Sequence, residues 1–182
     1  MKLMAENNKL IAEWGKFSHF LKRKEIPAKT TLLQEGQISK TAYFIEKGCV
    51  RSWFNNLGKD ITFQFFLEGE GVASIESFVK DRPSTFSLET IEPSVILCIS
   101  KIDLEQIIGL SPILKKDIEK HILHRLLHYQ ELFLSRIKDN PQKRYEELIR
   151  HRPDILQRIP QHYIASYLGI TPVSLSRIRN RR

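Results

Sequence analysis

Residues 161–179 read QHYIASYLGITPVSLSRIR, and this stretch carries the clearest structural signal in the chain. Apolar residues recur at helical spacing up to Leu168, and Gly169 follows where a left-handed residue ends a helix. Thr171 and Pro172 then supply an N-cap and a proline at the first helical position. The pattern predicts two short helices joined by a tight turn, which is the helix-turn-helix motif.

A helix-turn-helix bound to DNA places its second helix in the major groove, N-terminus first. We expect Arg177 to pair with a guanine and Val173 to pack on a thymine methyl group. Thr171 and Ser174 are placed to bond phosphates. The candidate DNA-binding residues are Thr171, Pro172, Val173, Ser174, Arg177, Arg179, Arg181 and Arg182. The alternative is a pair of packed helices with a solvated basic face.

The positive charge of the chain is concentrated in the same region. Residues 141–182 hold nine Lys or Arg and three Asp or Glu, so +6 of the formal net charge of +8 lies in the last 42 of 182 residues. A basic segment on a balanced body is typical of a module that binds a polyanion such as DNA. A solvated basic tail, or one that binds an acidic protein partner, is the alternative.

The middle of the chain, from about Glu25 to Ser100, has a different pattern. Short runs of β-forming residues alternate there with glycine-containing turns such as Lys47-Gly48. The predicted strands are Thr30–Leu33, Thr41–Glu46, Cys49–Asn55, Asp60–Phe66, Phe86–Ile91 and Val95–Ser100. Six short strands at this spacing predict an antiparallel roll, barrel or sandwich.

Helical patterns flank this region. Short helices are predicted over residues 1–24, Val72–Lys80, Asp103–Gly109 and between Pro141 and Pro153. Ser111 and Pro112 open a longer helix that ends at Lys138.

The long helix carries an apolar seam at spacings of three and four, close to a coiled-coil repeat. The seam residues that we assign to a dimer contact are Ile118, Ile122, Leu126, Tyr129 and Phe133. A second apolar face carries Leu123, Leu127 and Leu134. Two apolar faces need two partners, which we expect to be the chain's own roll and the same helix of a second subunit. The alternative is a helix that crosses one large core.

Several segments resemble the Crp/Fnr superfamily of bacterial transcription regulators, especially its short members common in Bacteroidetes-type bacteria. The segments are Leu33–Gly36, Tyr43–Arg51, Ile61–Phe66, Ile164–Pro172 and Ser174–Ile178. The resemblance implies an α+β fold with an N-terminal antiparallel β-roll of the cyclic-nucleotide-binding-like jelly-roll type. A long dimerisation helix and a C-terminal helix-turn-helix with little or no wing would follow. The implied domains are 1–110, 111–138 and 139–182.

The resemblance also implies partners. They are double-stranded DNA, a second subunit of a homodimer, RNA polymerase and a small-molecule effector of unknown identity. Two other functions fit the same sequence: a small-molecule-binding module whose basic tail binds an acidic protein partner, and a scaffold without a ligand.

Family members that bind cyclic AMP hold it with a Glu and an Arg-Ser pair in a phosphate cassette. In this sequence Ser74 stands in the place of the Glu, and Ser84-Thr85 in the place of Arg-Ser, while Glu76 and Arg82 lie two positions out of register. A phosphate pocket without its Arg lacks a charge-assisted bidentate pair. We therefore expect no cyclic AMP binding. These five residues are the candidate pocket for another effector.

Other function classes are excluded by composition. No apolar run reaches the roughly 18 residues that span a bilayer, and the N-terminus has no signal-peptide pattern, so we expect a cytoplasmic protein with no membrane partner. Two cysteines, Cys49 and Cys98, are too few for a disulfide framework or a four-cysteine iron–sulfur site.

Metal and enzyme sites are not expected either. The strand region holds no histidine, which excludes a cupin-type metal enzyme. His121, His124 and His128 share a face of the long helix, where we assign them to the surface of the dimer helix rather than to zinc. No catalytic motif is present, so we predict that the protein is not an enzyme.

Overall fold

A computed structural model describes residues 10–180 of the chain. Within them the helices are α1 (residues 10–16), α2 (Ile75–Lys80), α3 (Lys101–Leu110), α4 (Pro112–Lys138), α5 (Pro141–His151), α6 (Pro153–Arg158), α7 (Gln161–Leu168) and α8 (Pro172–Asn180). The strands are β1 (Lys22–Ile26), β2 (Thr31–Leu33), β3 (Thr41–Lys47), β4 (Val50–Asn56), β5 (Lys59–Phe66), β6 (Gly71–Val72), β7 (Ser87–Thr90) and β8 (Ser94–Ser100). None of these helices is both long and apolar enough to cross a membrane.

The strands form two four-stranded antiparallel sheets, in the orders β1-β8-β3-β6 and β2-β7-β4-β5. Successive side chains along each strand point alternately inward and outward, and the inward side chains of the two sheets pack together in an apolar core. Core residues are Leu33, Ile45, Val50, Phe66, Val72, Leu88, Ile96 and Cys98. All six predicted strands are present within one or two residues, which confirms the predicted roll.

Two expectations about the N-terminal half are wrong. The helix predicted over residues 1–24 gives way to a 3₁₀ turn at Ser18–Phe20 and then to β1, while residues 1–9 lie outside the described part. The charged strand β1 pairs along β8, and this tertiary pairing overrides the local helical pattern. The helix predicted from Val72 begins at Ile75, because Val72 pairs with Tyr43 in the sheet.

The later helices follow the predicted caps. Ser111 accepts a hydrogen bond from the Leu114 amide at 3.3 Å, and the helix that it caps ends at Lys138 as expected. Leu114 is fully buried with Ile107 and Ile99, against aromatic residues near the N-terminus. The short helix α6 was not predicted.

The C-terminal helices cover the outer face of the second sheet. Cys49, Phe65, Leu67 and Ile91 of the roll share one apolar cluster with buried residues of α5 to α8. The partners from these helices include Tyr145, Leu148, Ile155, Ile164, Leu168 and Leu175. The described chain therefore has three apolar clusters: the roll interior, the cluster around Leu114, and the core between the roll and the C-terminal helices.

An ion pair fastens α6 to the roll beside this core. Arg158 donates to both carboxylate oxygens of Glu68, at 2.7 and 2.9 Å, and also to Glu92. The hydrogen bond from Arg158 lowers the pKa of Glu68 to about 2, although burial acts in the opposite direction.

Replacement of this carboxylate should have a pH-dependent effect on stability. We expect Glu68→Gln to lower the free energy of unfolding by about 1 kcal/mol at neutral pH, since both side chains stay partly exposed. The carboxylate contributes fully above its ordinary pKa of 4.5, and the contribution is lost as the pH falls towards 2. Urea unfolding of both proteins between pH 7 and pH 2.5 measures the difference.

Glu35→Gln, at an exposed carboxylate of the roll, controls for the loss of one negative charge. A stability difference between wild type and Glu68→Gln that stays constant down to the lowest pH would contradict the ion-pair assignment.

Candidate nucleic-acid interface

The helices α7 and α8 are joined by a tight turn that closes on Gly169. Its φ of +70° is left-handed, its amide donates to the Ser166 carbonyl at 2.9 Å, and the Ile170 amide donates to the Ala165 carbonyl at 2.9 Å. This pair of bonds is a Schellman motif. A Cβ at position 169 would lie 2.5 Å from the end of the flexible Arg136 side chain, which can move aside, so it is the left-handed backbone that requires glycine here.

Thr171 caps the second helix. Its hydroxyl accepts from the Ser174 amide at 3.1 Å, which satisfies one of the free amides of the first turn. Leu175 is buried against α7 and Ile178 packs beside it. Anchored by these two residues, α8 turns its opposite side to solvent.

The solvent-facing side of α8 carries most of the residues predicted to bind DNA, while Ser174 is half-buried with its hydroxyl 3.0 Å from that of Thr171. Val173 is 60% exposed, and Arg177 lies exposed one turn further along the same face. Thr171, Pro172 and Arg179 are also exposed. Arg181 and Arg182 lie outside the described residues.

The surroundings of these arginines are basic and unpaired. The sequence holds no Asp or Glu after Asp154. No ion pair within residues 10–180 involves Arg177 or Arg179. As far as residues 10–180 are concerned, both guanidinium groups are therefore available to an anion.

A shallow polar cleft of about 330 Å³ extends this surface. It is lined by Arg179 and by three residues that the sequence analysis did not select: Gln161, Ser176 and Asn180. The one sequence signal for them is position, since Gln161 begins α7 and the other two lie on the later turns of α8.

Two arginines from other helices hold the end of α7. Arg136 of α4 donates to the Tyr167 carbonyl, and Arg144 of α5 donates to the Leu168 carbonyl at 2.9 Å. Cations at a helix C-terminus bind its free carbonyl groups and interact favourably with the negative end of the helix dipole. The position of α7 is therefore linked directly to α4.

The helix α4 rests on the roll with one face only. Arg125 pairs with Glu70 at 3.3 Å and lies 4.7 Å from the centre of the Phe66 ring. Seven large apolar side chains in the rest of the helix are exposed, namely Ile122, Leu123, Leu126, Leu127, Tyr129, Phe133 and Ile137, while Leu132 and Leu134 are half-buried. Among the seam residues, Ile118 is half-buried, whereas Leu126 is 61% and Phe133 66% exposed. Within the described part, no three His, Cys, Asp or Glu side chains are placed to hold a metal ion.

The five residues proposed as an effector pocket do not gather at one place. Ser74 and Ser84 are buried, with their hydroxyl oxygens 2.9 Å apart. Glu76, Arg82 and Thr85 are exposed, and Glu76 accepts a hydrogen bond from Lys80.

The roll has a clear sequence relative. Residues 23–110 match the cyclic nucleotide-binding domain family. No curated protein matches the chain in sequence.

The whole fold also matches solved structures of Crp/Fnr-family regulators. The c-di-GMP-responsive global regulator CLP of Xanthomonas campestris superposes with a TM-score of 0.76 at 18% identity, over 94% of this chain and 90% of that one. FixK2 of Bradyrhizobium japonicum has a TM-score of 0.75 at 16% identity, over 88% and 83%. The catabolite activator protein of Thermus thermophilus has a TM-score of 0.59 at 18% identity, over 93% and 82%.

The segment aligned with the phosphate cassette, residues 73–86, holds no charged side chain in the interior of the roll. The buried side chains of this segment, Ser74, Ser77 and Ser84, are uncharged, and the Ser74 and Ser84 hydroxyl oxygens lie 2.9 Å apart. Arg51 is the buried arginine of the domain, and its guanidinium pairs with Glu89 on the side that α7 covers. The cassette therefore offers no buried cation to a cyclic phosphate.

Arg51 is also a feature that the sequence did not reveal. Strand alternation places it on the outer face of β4, where an arginine normally meets water. The structure instead leaves it 2% exposed, because Tyr163 of α7 lies over it.

Two glycine substitutions should have opposite effects. Gly169→Ala is expected to destabilise the protein by about 1–2 kcal/mol, because a left-handed conformation is strained for L-residues with a side chain. Gly109→Ala, in α3 with no atom close to the added Cβ, should instead stabilise it by up to about 1 kcal/mol. Urea unfolding measures both, and equal effects of the same sign would contradict the left-handed turn.

Proposed function

We propose that this protein is a sequence-specific DNA-binding transcription regulator that acts as a homodimer. The observation that carries the proposal is the open face of α8, where Val173 and Arg177 are exposed beside a capped N-terminus and no acidic side chain follows in the sequence. Such a helix end favours phosphate, and an exposed arginine one turn later suits a guanine in the major groove.

The roles follow from position on α8. Arg177 and Val173 would read base edges, while Thr171 and Ser174 would bond phosphates near the helix start. Pro172 would form the tip that enters the groove. Arg179 and the cleft that begins at Gln161 would follow the backbone of one strand, and the basic residues Arg181 and Arg182 would add non-specific affinity.

A second copy of the chain is the proposed partner of the exposed face of α4. Seven exposed large apolar side chains within residues 122–137 are unusual for a helix surface in water. Two such helices that pack about a two-fold axis would bury this face in an isologous contact. The two reading helices would then meet half-sites about 34 Å apart.

The fold relatives support regulation of transcription. The Xanthomonas campestris protein is described as a global regulator that links cell–cell signalling to virulence gene expression. We propose that this chain works without cyclic AMP, because the buried side chains of the cassette carry no charge. RNA polymerase, another small-molecule effector and a cytoplasmic location stay predictions from the resemblance.

Arg177 should determine sequence preference. We expect Arg177→Ala to lower affinity for a DNA site selected from a random pool by about 1–3 kcal/mol, with little change on unrelated DNA. Arg179→Ala, and likewise Arg181→Ala, should weaken binding to all sequences. Each should also reduce the slope of log affinity against log salt concentration by about one. Fluorescence anisotropy over a salt series measures both effects.

Equal losses on selected and unrelated DNA for Arg177→Ala and Arg179→Ala would contradict the assignment of a reading residue. Failure to select any preferred site would favour the alternative in which the basic tail binds an acidic protein.

Leu126 should be essential for dimerisation. A buried Asp in place of Leu126 would be unpaired in the seam, so Leu126→Asp should give a monomer in light scattering after size-exclusion chromatography. Affinity for a site with two half-sites should fall by about a hundredfold or more as the second contact is lost. Leu57→Asp, at a leucine of the roll that is 98% exposed, is the matched control and should stay dimeric. A dimeric Leu126→Asp protein would contradict the proposed interface.

A further inference from the structure

The helix α7 covers the free edge of the roll. We call α7 and α8 together the reader, since they form the proposed DNA-reading helix-turn-helix. β5 is the outermost strand of its sheet, so its outward amides lack a neighbouring strand. Ser166 of α7 accepts a hydrogen bond from the Thr62 amide at 2.9 Å, and its hydroxyl donates to the Asp60 carbonyl at 3.3 Å. A helical side chain thus takes the place of the next strand at this edge.

A second contact lies one turn earlier on α7. The guanidinium of Arg51 lies 4.0 Å from the centre of the Tyr163 ring, and it pairs with Glu89 at 3.0 Å and Asp60 at 3.4 Å. The ring shields this ionic group from water, and a cation–π contact is stronger when water is excluded from it. Tyr163 therefore fixes the rotation of α7 about its own axis.

Further contacts surround these two. The rings of Phe65 and Tyr167 lie 5.2 Å apart, and Arg158 holds the preceding helix to Glu68. As long as these contacts at separated points along α6 and α7 are formed, they prevent the reader from rotating on the roll.

The docked face and the proposed DNA-reading face are on different sides of the reader. Tyr163 and Ser166 meet the roll, whereas Val173 and Arg177 are exposed. Docking therefore leaves the proposed reading face open while it fixes its direction.

We propose that the docking of α7 on β5 sets the half-site spacing that the dimer accepts, with Ser166 and Tyr163 as positioning residues. This inference rests on the proposed function. One added base pair moves the second half-site by about 3.4 Å and turns it by roughly 34° about the DNA axis. A reader held against the roll cannot follow this turn, whereas a reader released from the roll and held only by α4 and α5 has more freedom to do so.

The test measures spacing preference rather than affinity alone. The probes are the DNA site selected by the wild-type protein and four versions with one or two base pairs added or removed between the half-sites. Wild type should prefer its selected spacing by about tenfold or more over a change of one base pair, since a lost contact costs about 1–3 kcal/mol. In the double variant Ser166→Ala, Tyr163→Leu this ratio should fall to about threefold or less.

Conservative variants are the matched controls. Tyr163→Phe keeps the ring over Arg51 and Ser166→Thr keeps the hydroxyl, so both should retain the wild-type ratio. Light scattering and circular dichroism check that every protein is a folded dimer. If the double variant does not fold, the two single variants carry the test, each with an intermediate ratio expected.

The outcomes separate this inference from the proposed function. An unchanged spacing ratio in folded dimers with Ser166→Ala or Tyr163→Leu would overturn the inference and leave DNA reading intact. A wild-type protein that selects no DNA site would overturn the proposed function itself. A ratio lost equally in Tyr163→Phe would show that the ring over Arg51 is not what positions the helix.

Discussion

The structure depends on one strand, β5, that carries apolar side chains on both of its faces. Phe65 and Phe66 are consecutive residues of β5, and they point into two different cores, the first towards the C-terminal helices and the second into the roll. The outer face must be covered, because bare apolar sheet surface beside an open edge invites association with other chains. The helices α5 to α8 cover it, so the stability of the roll and the position of the proposed reader have the same physical origin.

The positive charge at the C-terminal end serves two purposes. Most of the basic residues from position 141 onwards bind within the chain: Lys143 to Asp139, Arg144 to the Leu168 carbonyl, Arg150 to Glu147, Arg152 to Glu70 and Asp154, and Arg158 to Glu68 and Glu92. Arg177 and Arg179 make no such ion pair in the described part of the chain. The charge excess seen in the sequence therefore overstates what is free for DNA, and the free charge lies on α8.

Features set by short-range chemistry could be predicted from the sequence. Proline after a serine, threonine or asparagine starts α4, α8 and α5, and Gly169 ends α7, since these caps act within a few residues. The strands β1 and β6 were missed because a charged strand and a two-residue strand exist only through their partners. The cassette residues could be aligned from the sequence, but their separation into a buried serine pair and exposed Glu76 and Arg82 could not.

Periodicity, caps and turn residues act over a few positions, so local patterns are enough to predict the kinds of element, their order and the helix that carries the candidate DNA-reading residues. The tertiary structure alone decided that Arg51 is buried and that α7 completes the edge of β5. Ser166 and Thr62 are more than a hundred residues apart in the chain, so no local sequence pattern can predict a hydrogen bond between them. Such a contact requires that the sheet containing β5 has formed and that the C-terminal helices have packed on it.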